Sequence, residues 1–265
     1  MFTALRRLPF PYAVAIAAVF AIVLPMGGSI LSASYFSVFR WPHIPFHSVV
    51  EGLGGFIALV IAALLVAEQG RQGTHRHYLW MASALAGMGL LDIFHAAVSP
   101  GNNFVWLHST ANLVGGIFFA LAWMPIPKRW GYSFPLVVAL AVLCCAVASC
   151  VAFPLLPQMT HEGQFTPLAR GLNILGGLGF FVGAAFFGDD WLFAVHCTLF
   201  GMAGVLFELS VLWDAAWWWW HLLRLLAYVA ALSFAVTTYI NNESRIRSLD
   251  EQLAGVNFTV EANVK

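Results

Sequence analysis

The chain has 265 residues, of which 61% are hydrophobic and only 9% charged, and its formal net charge is zero. Soluble domains carry about 25% charged residues, so the composition excludes a soluble globular protein. The balanced charge also gives no footing for nucleic acid, and the expected solvent is membrane lipid.

A helix needs about 20 mainly apolar residues to cross a bilayer. Eight stretches qualify: 11–31, 46–67, 78–99, 104–124, 132–153, 168–187, 190–213 and 216–239. The expected fold class is all-α, a polytopic membrane bundle of about eight transmembrane helices. Arg6 and Arg7 precede the first stretch and small residues follow it at 32–34, as in a signal peptide. Its long core and the lack of a clean A-x-A site favour a retained helix. Arg6 with Arg7, Arg71 with Arg76, Lys128 with Arg129, and Arg245 with Arg247 all fall on one side of an eight-helix count. The positive-inside rule makes that side the cytoplasm, with both termini, in a multi-pass membrane protein. The other side receives loops 32–45 and 154–167 and the turns at Pro100 and Asp214. Cys144, Cys145 and Cys150 share one apolar segment and Cys197 lies in another, a pattern of free apolar thiols rather than a redox motif.

Past Tyr239 the composition turns polar, which divides the chain into a transmembrane part, 1–239, and a cytoplasmic linker, 240–265. Ile246, Leu249 and Leu253 are spaced 3 and 4 apart, either a short seam for a homodimeric coiled coil or a solvated tail.

Ionisable residues recur at one depth. His47 and Glu51 lie just inside the second stretch, Asp92 and His95 near the end of the third, and His108 just inside the fourth. Glu208 lies near the end of the seventh and His221 just inside the eighth. At 1.5 Å rise per residue, all fall within roughly 10 Å of the outer surface. His47/Glu51 and His108/Asn112 are i, i+4 pairs; Asp92/His95 and His221/Arg224 are i, i+3 pairs, with Tyr228 one turn on. Buried ionisable groups in a membrane are costly and usually mark function.

Three readings fit this set. His47, Glu51, Asp92, His95, His108 and His221 are candidate ligands of a transition-metal ion (Zn, Cu or Fe), since imidazole and carboxylate suit such ions. Alternatively, His95 and His108 hold a haem b, or the pocket binds another cofactor such as a quinone. The third reading is a hydrogen-bonded network that locks the helices together. Glu208, Asp214 and Arg224 are candidates to support the ligands, with Asp214 also placed to cap the last helix. Four consecutive tryptophans, 217–220, face all sides of that helix and read mostly as interfacial anchors. His43, His75, His77 and His161 fall in loops, and His196 reads as an interior histidine away from the stratum.

The segments "FHSVVEGLGGFIALVIAALL" and "GLLDIFHAAVSP" resemble the membrane-associated sensor (MASE-type) domains of bacterial signalling proteins. The likeness rests on H-x-x-x-E, here His47 and Glu51, and on an acid-and-histidine helix end, here Asp92 and His95. It covers roughly residues 45–125 and, more loosely, 206–239. It implies a sensor preceding an output such as a histidine kinase, as in two-component systems, or a diguanylate cyclase. No such output follows here, as in a sensor region cut from a longer protein. The expected function is a sensor that signals through its last helix. The competing classes are a redox cytochrome and a membrane metallohydrolase with Glu51 or Asp92 as base, although no H-E-x-x-H motif appears.

Overall fold

The computed structural model describes residues 22–72, 77–126, 130–131, 133–186 and 191–264. Among these, eight α-helices follow in order: α1 (Leu24–Tyr35), α2 (Ile44–Gln72), α3 (His77–Ala97), α4 (Asn102–Ala120), α5 (Ser133–Val151), α6 (Pro167–Phe186), α7 (Trp191–Leu206) and α8 (Ala215–Val264). The seven from α2 to α8 are long and apolar enough to cross a membrane. The all-α polytopic bundle expected from the sequence is the observed fold. The first expected span lies partly outside the described residues, and its described end continues to Tyr35 as α1. At the other end no break separates span from tail, because α8 runs for 50 residues from Ala215 to Val264.

Contacts order the helices into a closed ring, α2–α3–α4–α6–α7–α8, with α8 returning to α2. α5 packs outside the ring against α3, and α1 packs against α8. Composition follows this placement. α5 has the highest hydropathy of the spans, 2.6, and only 17% of its window is buried; α3 has the lowest, 1.3, and 78% is buried. A helix shielded from lipid by its neighbours can carry polar side chains at low cost. Asp92 and His95 sit on that shielded helix.

Close backbone approaches at glycines set the spacing of the ring. A Cβ on Gly55 of α2 would come 2.6 Å from the Gly89 carbonyl oxygen of α3, and one on Gly89 would come 2.8 Å from the Gly55 oxygen. Gly55 lies one turn from Glu51, and Gly89 lies one turn before Asp92. The contact that draws the backbones together is therefore directly beside the polar stratum. Between α4 and α6, a Cβ on Gly116 would overlap the Gly176 carbonyl. Small residues at such crossings are how membrane helices gain packing where lipid supplies no hydrophobic drive.

Loops tie the ring together at the end carrying the stratum. Trp41 N–H donates to the Trp213 carbonyl at 3.0 Å, and Arg40 pairs with Asp214 in a single β-bridge. Asn102 at the start of α4 donates to the Pro157 carbonyl and accepts from Met159 N–H. A small hairpin, β1 (Thr160–His161) and β2 (Gln164–Phe165), places Phe165 in a stacked contact with Phe207 at 4.1 Å. Trp213 has φ of 70°, a left-handed conformation uncommon for a bulky residue. Its carbonyl contact with Trp41 and its ring contact with His47 hold it there.

Gly89→Val should splay α2 from α3. The expected loss is about 1–3 kcal/mol of stability, the usual cost of forced overpacking, read as a lowered thermal midpoint of the full chain in detergent.

Candidate metal centre

Seven polar side chains from four helices meet inside the ring: His47 and Glu51 of α2, Asp92 and His95 of α3, His108 of α4, and His221 and Arg224 of α8. None exposes more than 4% of its surface. The candidates named from the sequence thus converge, with two exceptions. Glu208 turns to the rim and pairs with Arg170 at 2.9 Å, both about one-third exposed. Asp214 caps α8, its carboxylate accepting from the N–H groups of Trp217 and Val211. Neither touches the cluster, because each has a nearer partner at the loop face.

Two imidazoles, those of His95 and His221, flank that of His47. His47 Nε2 lies 3.1 Å from His221 Nε2 and 3.3 Å from His95 Nε2. The outer nitrogens fix the proton positions. His95 Nδ1 lies 2.7 Å from the Phe104 carbonyl, and His221 Nδ1 lies 2.7 Å from the Trp217 carbonyl. A carbonyl oxygen only accepts, so each Nδ1 carries the proton and donates it. In the neutral rings, the Nε2 atoms of His95 and His221 are then bare lone pairs aimed at the same point. One proton on His47 Nε2 cannot satisfy both well. A cation can. Zinc–imidazole bonds of about 2.0–2.1 Å in a tetrahedral site put neighbouring ligand nitrogens about 3.3 Å apart, close to the two separations from His47, and all three residues offer ligand atoms within 4.8 Å of one another.

The charged groups lie beside this triad. Arg224 Nη1 donates to Glu51 Oε2 at 2.9 Å and to His108 Nδ1 at 3.0 Å, while Nη2 donates to Asp92 Oδ2. Tyr228 O–H donates to the same Asp92 oxygen at 2.9 Å. The other oxygen of Glu51, Oε1, lies 3.5 Å from His221 Nε2. Asp92 therefore does not orient a histidine ring, as its i, i+3 spacing with His95 suggests. The guanidinium draws it away, and backbone carbonyls fix the rings instead. His47, His95 and His221 form one grouping that could hold a metal ion, and Glu51, His95 and His108 form another.

Aromatic walls enclose the site. Trp220 stacks on His221 at 3.7 Å, Trp217 lies 3.8 Å from the same ring, and Phe104 lies 4.0 Å from His95. Trp217 and Trp220 are each 1% exposed, so two of the four tryptophans expected at the interface line the site instead. The spacing of Trp217, His221, Arg224 and Tyr228 carries the signal for this: 4, 3 and 4 residues, one helical face. The haem reading meets a steric obstacle. The His95 and His108 rings are only 5.3 Å apart, and the void between Phe104, Phe165 and Phe207 beside them is about 10 Å³. That is one water's worth of space; a porphyrin plane does not fit between these rings.

The remaining histidines stand apart. His43 Nδ1 accepts from Phe46 N–H at the start of α2, and His161 is exposed beside Glu162. His77 packs on Phe186, and His75 lies outside the described residues. His196 is fully buried among Phe119, Phe193 and Phe200, its Nδ1 donating to the Ala227 carbonyl. All four cysteines are free.

No protein-family model, curated protein or solved structure matches the chain.

The two kinds of ion pair should respond differently to truncation. Arg224→Ala leaves the buried carboxylates of Glu51 and Asp92 without their cation and should cost about 3–5 kcal/mol. Glu208→Ala at the rim should cost no more than about 1 kcal/mol. Thermal unfolding of both variants, compared with the unaltered chain, checks this.

Proposed function

We propose that this multi-pass membrane protein is a sensor that binds one transition-metal ion (zinc, copper or iron) through His47, His95 and His221. In this reading α8 passes the state of the site to a cytoplasmic output of the kind that follows MASE-type domains, in a bacterial inner membrane. The observation that carries the reading is that the Nε2 atoms of His95 and His221, left bare by their own backbone contacts, flank His47 Nε2 at metal-ligand spacing. Their ligand rings come from α2, α3 and α8, so an ion draws those three helices together. α8 supplies both His221 and the uninterrupted run to Val264, about 75 Å at 1.5 Å per residue. A ligand shifts such a helix only by its differential affinity for two arrangements. Exposed Ile246, Leu249 and Leu253 give the far end an apolar seam for pairing with a second copy.

A metallohydrolase is the second reading. Three histidines with an open fourth position and an adjacent carboxylate, Glu51, are also the parts of a catalytic zinc site. Against it, Glu51 Oε2 is held by Arg224, which weakens it as a base.

Elemental analysis of the purified full chain should find one equivalent of metal and no Soret band. His95→Ala should lose the metal; His43→Ala and His161→Ala should retain it. Absence of stoichiometric metal from the unaltered chain sinks the proposal. Hydrogen exchange along α8 past Tyr239 should change on metal removal in a sensor and stay unchanged in a hydrolase.

A further inference from the structure

The Arg224 side chain occupies a position that has the ligands of a second cation site. Its Nη1 stands between Glu51 Oε2, at 2.9 Å, and His108 Nδ1, at 3.0 Å. Glu51 and His108, together with His95, offer ligand atoms that all lie within 4.8 Å of one another. A guanidinium has donors and no acceptor, so His108 turns a bare Nδ1 lone pair toward it, as it would toward a metal ion. Asp92 adjoins the same guanidinium through Oδ2, and its other oxygen, Oδ1, is buried with no hydrogen-bond partner among the described residues. Imidazole and carboxylate together form a ligand set for a divalent transition metal.

We propose that Glu51, His95 and His108 form a second metal position which Arg224 fills as a tethered cation, and that a divalent ion takes the position when the guanidinium is withdrawn. Two buried carboxylates need a compensating cation. The guanidinium is always charged and, being covalently attached, is present at a high effective concentration. His95 belongs to both groupings, but its Nδ1 is committed to the Phe104 carbonyl. Its single free lone pair serves one ion at a time, so the two positions compete. The inference rests on the metal reading above and extends it. His221, a ligand of the first position, and Arg224, the occupant of the second, both ride on α8, so an ion that moves from the first position to the second gives up its α8 ligand and displaces the other α8 group from Glu51 and His108.

The test counts zinc bound by the full chain in detergent after equilibration with Zn(II) alone. His47→Ala should abolish binding in the native background, whereas His108→Ala should not. Adding Arg224→Met to His47→Ala should restore one equivalent, and adding His108→Ala to that pair should remove it again. If the His47→Ala/Arg224→Met chain folds and binds no zinc, the second position does not exist. A chain that folds only when zinc is present supports the proposal, since the ion then replaces the lost guanidinium. Should it fold under neither condition, the same count is made with Asp92→Asn added, which removes one of the two uncompensated carboxylates. Failure of that chain to fold or bind in zinc overturns the proposal. An unaltered chain that binds no zinc defeats the zinc form of the sensor reading instead. A gain of zinc confined to Arg224→Met chains would still establish the second position.

Discussion

Arg224 stands between Glu51 and Asp92 with all three groups out of water. Each charge alone would cost several kcal/mol to bury, so neither carboxylate is tolerable without the guanidinium. The arrangement is correspondingly demanding in geometry. One guanidinium must reach a carboxylate on α2, a carboxylate on α3 and an imidazole on α4 from a single position on α8. This fixes how four helices are rotated about their own axes. His47, His95 and His221 share those helices within about one turn of the charged residues, so the same rotation aims their ring nitrogens at a common point.

Packing supplies the rest of the precision. The Gly55/Gly89 contact brings α2 and α3 to backbone distance next to the charges. α5 screens α3 from lipid, which lets an acid and a histidine occupy a transmembrane helix of modest hydropathy. Trp217 and Trp220 press on His221 from within its own helix. Their bulk excludes water from the ring and leaves the Trp217 carbonyl as the acceptor for its Nδ1 proton. The site is held by aromatic walls and backbone carbonyls as much as by its charged partners.

Much of this is legible in the sequence because a membrane simplifies the problem. Apolar length marks the spans, and an ionisable residue inside one is rare enough to notice. The depth of His47, Asp92, His95, His108 and His221 follows from counting residues along helices of known rise. Side-chain pairing does not follow, since i, i+3 and i, i+4 spacings say which residues share a face and nothing about the helix opposite. Spacing therefore matches Asp92 with its neighbour His95, when Arg224, 132 positions away, is its partner. Glu208 lies at a suitable depth too, but Arg170 on the adjacent helix claims it. The tryptophans mislead for a related reason. Composition ties them to the interface, whereas two of them face inward along the stripe that includes His221, Arg224 and Tyr228.

The order of the chain adds a consequence for biogenesis. Glu51 and Asp92 are made before their counter-charge, which is on α8. At about 5–20 residues per second, Asp92 waits on the order of ten seconds before Arg224 is made. During that time a transmembrane Asp, costing about 2.5–3.5 kcal/mol at the centre of an inserted helix, has no guanidinium to meet. The first helices must therefore pass through a stage in which they are held by the insertion machinery, by one another through the glycine contact, or at the lipid surface. The ring closes only when α8 arrives, so the step that closes it also completes the site.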